Sequence, residues 1–70
     1  MENKYRPISE NPIKETHYLV KFYNPHRHMT DKVRTAFRYY KGDGVWEKPF
    51  YNFEGDGYEL IEWYDPDYKE

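Results

Sequence analysis

Apolar and polar positions alternate most regularly along His17-Tyr18-Leu19-Val20-Lys21-Phe22-Tyr23. Tyr18, Val20 and Phe22 fall on one face, and Leu19, Lys21 and Tyr23 on the other, the period of two that a strand requires. The run is rich in β-branched and aromatic residues and closes on the turn signal Asn24-Pro25, so it predicts a strand. A second strand is predicted over Tyr58–Tyr64, stopped by Asp65-Pro66. Regular alternation there sets Ile61 and Trp63 on one face and Leu60 and Tyr64 on the other. With apolar groups on both faces, this strand belongs inside the sheet or under cover from the N-terminal segment.

Between these runs, Thr30–Lys41 carries two periods at once. Val33, Ala36, Phe37 and Tyr40 have the i, i+3, i+4, i+7 spacing of a helix, with Thr30 and Gly42 as candidate caps. Val33, Thr35, Phe37 and Tyr39 alternate as a strand would. Tyr39-Tyr40-Lys41-Gly42-Asp43-Gly44-Val45-Trp46 has the form of a hairpin, an Asp-Gly turn between aromatic flanks, and this favours the strand. Gly55-Asp56-Gly57 repeats the same turn chemistry, since glycine supplies positive φ at little steric cost.

The expected fold is therefore mainly β, an antiparallel meander of three or four strands that admits one short helix. The alternative is α+β, should residues 30–41 be helical. Seventy residues make one domain. Pro7 and Pro12 bias residues 1–15 towards an extended N-terminal arm, with a turn at Ser9-Glu10-Asn11-Pro12, and residues 65–70 read as a frayed tail.

A chain this short buries a small fraction of its surface, and with no cysteine it has neither disulfides nor thiolate zinc to compensate. Aromatic residues take that role. Nine Tyr, four Phe and two Trp are present, and each ring can bury roughly 150–250 Å². No run approaches the ~20 apolar residues of a membrane span, and residues 1–10 lack the apolar stretch of a signal peptide, so a cytoplasmic setting is expected. Charge is divided: residues 1–41 hold nine Lys/Arg and four Asp/Glu, residues 42–70 two Lys and nine Asp/Glu. Such halves either attract one another across the sheet or steer a charged partner.

Candidate chemistry is sparse. His26 and His28 have a metal-binding spacing but sit in a loop, and Asp43 and Asp56 in their Gly-rich turns lack the spacing of calcium or phosphate loops. The one serine, Ser9, lies in the arm, far from the rigid placement a nucleophile needs. Glu59 and Glu62 fall on opposite faces of a regular strand, so they make a poor acid–base pair. A non-catalytic protein without metal or cofactor is the expectation. Arg34, Arg38 and Tyr40 share a face of the third run, where they either stack and contact phosphate or pair with Glu59 and Glu62. A pI near 5.9 weighs against nucleic acid.

Tyr5-Arg6-Pro7-Ile8-Ser9-Glu10 followed by Pro12, then Tyr18-Leu19-Val20, then Tyr39-Tyr40 with Gly42, Gly44 and Trp46, then Ile61-Glu62-Trp63 with Pro66, resembles a group of small phage and prophage proteins. Members typically open with Trp-x-x-Ile-Ser-Glu-x-x-Pro and end on a strand of the type His-Trp-x-x-Leu-Pro. This chain departs in having Tyr5 for Trp, a single residue before Pro12, and Glu62 for His. The resemblance implies a strand at Val33–Tyr40 and a small accessory protein that binds a host protein, including components of host immunity. It implies no enzymatic activity. Arg34, Arg38, Tyr39, Tyr40, Trp46, Asp43 and Asp56 are the candidate contact residues, for a host protein first, a small ligand or nucleotide second, and single-stranded nucleic acid last. A two-fold dimer fits each of these readings, because a short sheet leaves edges that can pair.

Overall fold

The computed structural model describes residues 4–67. The apolar alternation at the centre of the chain produces β2 (His17–Tyr23) and β3 (Val33–Gly42), an antiparallel pair in register from His17 opposite Tyr39 to Tyr23 opposite Val33. Gly42, Asp43 and Gly44 all have positive φ, and this turn returns the chain into β4 (Val45–Trp46), which pairs with β3 only at Tyr40 and Gly42. β5 (Glu59–Tyr64) lies on the other side of β2, and β1 (Tyr5–Pro7) pairs with β5 from Tyr5 opposite Tyr64 to Pro7 opposite Glu62. The sheet order is β1-β5-β2-β3-β4.

The protein is mainly β and antiparallel, as the alternation predicts, and residues 33–41 are strand, following a 3₁₀ turn at Met29–Asp31. The sheet has five strands because the N-terminal segment is not a free arm. Residues 5–7 join the sheet, a backbone turn closes from Glu10 N–H to Pro7 C=O, and Pro12 is buried. Only β2, β3 and β4 follow one another in meander order. β5 sits inside the sheet, which explains its apolar groups on both faces. Of the predicted tail, Asp65 is anchored by its N–H to the Lys4 carbonyl and by its carboxylate to Arg6, while residues 68–70 lie outside the described residues. Gly55-Asp56-Gly57 does not repeat the hairpin. It ends a 3₁₀ turn, Phe53–Asp56, capped by the Asn52 side chain and by Gly57 in the left-handed region.

One face of the sheet is covered. Tyr18, Val20 and Phe22 point into it, joined by Tyr40, Tyr58 and Trp63. A thickness of 17 Å leaves room for one sheet and a layer of loops. The buried aromatics hold those loops by their polar tips. Tyr18 Oη donates to the Lys14 carbonyl at 3.0 Å, and Trp63 Nε1 to the Glu10 carbonyl at 2.7 Å. Tyr58 Oη donates to the Asp31 carbonyl at 2.6 Å, and Tyr40 Oη accepts from the Gly44 N–H at 2.8 Å. Each ring thus buries apolar area and satisfies a loop group that would otherwise be costly to cover. No buried side-chain nitrogen or oxygen among the described residues lacks a partner.

Candidate interaction face

Among the described residues nothing covers the opposite face of the sheet. Odd-numbered residues of β2 and β3 point to it and meet in cross-strand pairs: His17 with Tyr39, Leu19 with Phe37, Lys21 with Thr35, and Tyr23 with Val33. Such pairs stabilise a sheet, but three of these also leave apolar surface in water. Phe37 is 69% exposed and Val33 47%. The face changes character towards β5 and β1. There Lys21 makes a 3.3 Å ion pair with Glu62 and lies over the Tyr5 ring, which stands edge-on to Tyr64. An apolar half over β2 and β3 is therefore flanked by a polar, aromatic half.

A register shift brings Glu62 to this face. Lys21 is opposite Glu62, but Phe22 is opposite Leu60, so Ile61 is an extra residue in β5. The bulge turns Leu60 and Trp63 together into the core and sets Glu59 and Glu62 on the same, open face. Regular alternation predicts the opposite for both pairs.

The seven candidate contact residues do not converge. Tyr40 is buried and holds the hairpin turn, and Trp46 packs on Tyr40 and Tyr18. Arg38 is 4% exposed and forms a two-pronged ion pair with Glu54, with a further hydrogen bond from Nη1 to the Glu47 carbonyl. Burial raises the Glu54 pKa, yet the hydrogen bonds from Arg38 and the nearby cations outweigh it and hold the carboxyl below its ordinary value. Arg34 is exposed and paired with Asp31 at 2.9 Å. Neither arginine meets Glu59 or Glu62, the partners expected from sequence. Asp43 occupies the hairpin turn at φ 54°, and the Asp56 carbonyl accepts from Asn24 and Arg27. Of the seven, Tyr39 alone faces the open side, its ring against His17 and its hydroxyl donating to the Glu15 carbonyl.

Leu19, Tyr23, Val33 and Phe37 are the apolar residues of this face that the candidate set omits. Their signal is that these four odd positions are apolar although they lie on the far side from the core, among the polar His17, Lys21 and Thr35. A further exposed pair, Phe50 and Tyr51, projects from the loop after β4 with rings 5.0 Å apart. That loop passes beside β3 and encloses a cleft of about 370 Å³ with Ala36, Tyr51, Phe53 and Asp56 in its lining. Another cleft, about 390 Å³, lies between Arg6, Trp63 and Asp65, where Arg6 already pairs with Asp65 and Trp63 with the Glu10 carbonyl. Among the described residues no three His, Asp or Glu gather to hold a metal ion, and no helix is long and apolar enough to cross a membrane. Comparison with protein-family models, with curated proteins and with solved structures gives no match.

Proposed function

We infer that this chain acts by binding another protein, without catalysis, and that the apolar half of the open sheet face is its contact surface. The observation that carries this reading is the cross-strand row of Leu19 with Phe37 and Tyr23 with Val33, half-buried at Leu19 and exposed at the other three, on a face that no other part of the described chain covers. Aromatic and aliphatic groups ringed by polar ones are what a desolvated contact requires, and rigid strands hold them without further ordering cost. The resemblance to small phage and prophage proteins extends the reading: the partner is a host protein, inhibited by occupation of its surface, with host-defence components as one class and the host cytoplasm as the setting.

The test is capture from host lysate with the wild-type chain and with Phe37→Asp. The expected result is a protein retained by the wild type and lost from the variant, while circular dichroism and melting temperature stay the same. Identical recovery on both baits would remove this face from consideration.

A further inference from the structure

We propose that the outer edge of β3 is a self-association site, and that two copies of this chain join there into one continuous antiparallel sheet. The backbone supplies the first reason. The Tyr40 N–H donates to the Thr16 carbonyl on the β2 side, whereas the Tyr39 carbonyl accepts from the Glu47 N–H on the outer side. Strand alternation then turns the N–H and C=O groups of Val33, Thr35 and Phe37 outwards. β4 reaches only Tyr40 and Gly42, so among the described residues no strand pairs with those three groups. Proteins commonly shield such an edge with a short strand, a proline or a bulge. β1, at the opposite side of the sheet, is three residues long and ends on Pro7. The Val33–Phe37 edge has none of these devices.

Sequence on that edge selects a second copy as the occupant. About a two-fold axis at Thr35, Val33 lies opposite Phe37 of the second copy and Arg34 opposite its Ala36. Every outward backbone group then meets a matching one. An axis at Arg34 sets that arginine against itself, and an axis at Ala36 sets Arg34 against Arg38, both like-charge pairs directly opposed. Of these three axes, the Thr35 one alone puts Val33 against Phe37 and the long Arg34 against the short Ala36.

The cleft beside β3 supplies the second reason. Ala36 lines it together with Tyr51 and Asp56, and Arg38, also in the lining, is already neutralised by Glu54. Arg34 points to the same side of the sheet as Ala36. In the Thr35 register Arg34 of each copy therefore reaches the cleft of the other, over the small Ala36 and towards Asp56, exchanging its exposed 2.9 Å pair with its own Asp31 for that contact. Among the described residues the Asp56 carboxylate has no cationic partner of its own. The two-fold axis makes the contact twice.

Solution mass tests the proposal, and it does so independently of any capture result. Light scattering of the wild type is expected to give twice the 8.7 kDa chain mass at high protein concentration and to fall on dilution. Thr35→Pro removes an outward N–H, a substitution an edge strand tolerates, and should give a folded chain of single mass. Arg34→Glu should weaken association by about tenfold or more, and Arg34→Glu with Asp56→Arg should restore it, because the swapped charges meet again across the axis. A wild type of single mass at all concentrations overturns the proposal, as does a folded Thr35→Pro chain that keeps the double mass. Should Thr35→Pro fail to fold, the charge series decides. Equal association of the single and double charge variants then overturns it.

Discussion

Arg38 and Glu54 form a two-pronged ion pair beneath the sheet, with Nη1–Oε2 at 3.1 Å and Nη2–Oε1 at 3.0 Å. Arg38 sits in β3 on the core side, its guanidinium 4.9 Å from the Phe22 ring centre, and Glu54 reaches it from the 3₁₀ turn of residues 53–56. The pair fastens the covering loop to the strand. Its partners are unequal, because the Arg38 side chain is 4% exposed and that of Glu54 23%.

That inequality predicts an asymmetric cost. Glu54→Ala leaves a buried guanidinium without its carboxylate, the situation that typically costs about 3–5 kcal/mol. The lower part of that range is expected, because Nη1 retains the Glu47 carbonyl. Arg38→Leu removes the buried charge itself and leaves a carboxylate that can turn to water, so it should cost about 1–2 kcal/mol. Urea denaturation of both variants checks the order. A larger loss in Arg38→Leu would refute the argument.

The same pair sets an acid limit. The folded-state pKa of Glu54 lies below the ordinary 4.5, so its stabilisation is fully present above that value and is lost as pH falls through the lower, folded one. Protonation leaves Arg38 buried and unmatched. Glu54→Gln should therefore be less stable than the wild type at neutral pH, with the gap narrowing below pH 4.5. Urea midpoints of both chains across the acid range measure it, and a gap that stays constant there would exclude Glu54 as the titrating group.

What was legible in the sequence was what neighbours in the chain decide. β2 has the bounds its alternation predicts, and the hairpin forms where Gly42-Asp43-Gly44 demands it. The helical spacing of Val33, Ala36, Phe37 and Tyr40 is overridden by pairing with β2, which uses both faces of the segment. The rest was hidden because distant partners decide it. β1 looks like a proline-bearing arm until residues 62–64 arrive to pair with it. Nothing within Tyr58–Tyr64 signals the extra residue at Ile61, yet that residue reverses which side chains share a face with Trp63. Arg38 finds Glu54 only because the loop folds back under the sheet. The alternation put Leu19 with Tyr23 on one face of β2 and Val33 with Phe37 on one face of β3, but it gave no means of knowing which face meets the core and which stays uncovered.

At the hairpin, conformation and hydrogen bonding can be separated. Gly42 has φ 96°, and a Cβ there would stand 2.9 Å from Glu15 Oε2, the mobile end of a side chain. Gly42→Ala should thus lose about 1–3 kcal/mol, chiefly from the backbone angle. Tyr40→Phe keeps the ring in the core and deletes only the acceptor for the Gly44 N–H, a loss of about 1 kcal/mol. Combining Gly42→Ala with Glu15→Ala checks the division. If removing the Glu15 side chain recovers most of the loss, steric contact and not φ is the cause.

Phe22 and Phe37 give the sharpest contrast between the two sides of the sheet. Phe22 is fully buried, and Phe22→Ala should cost about 3–5 kcal/mol through lost burial and the cavity left behind. Phe37→Ser exposes no core and should stay within about 0.5 kcal/mol of the wild type, as surface changes do. Were Phe37 held for stability, its removal would lower the melting temperature in step with its ring area. If the residue is instead held for contact, melting should stay nearly constant while retention of a partner falls. Measuring both quantities on the same Phe37→Ser protein decides between them. A large drop in melting temperature would mean that the open face is covered in the native state, and the contact reading would then have to give way.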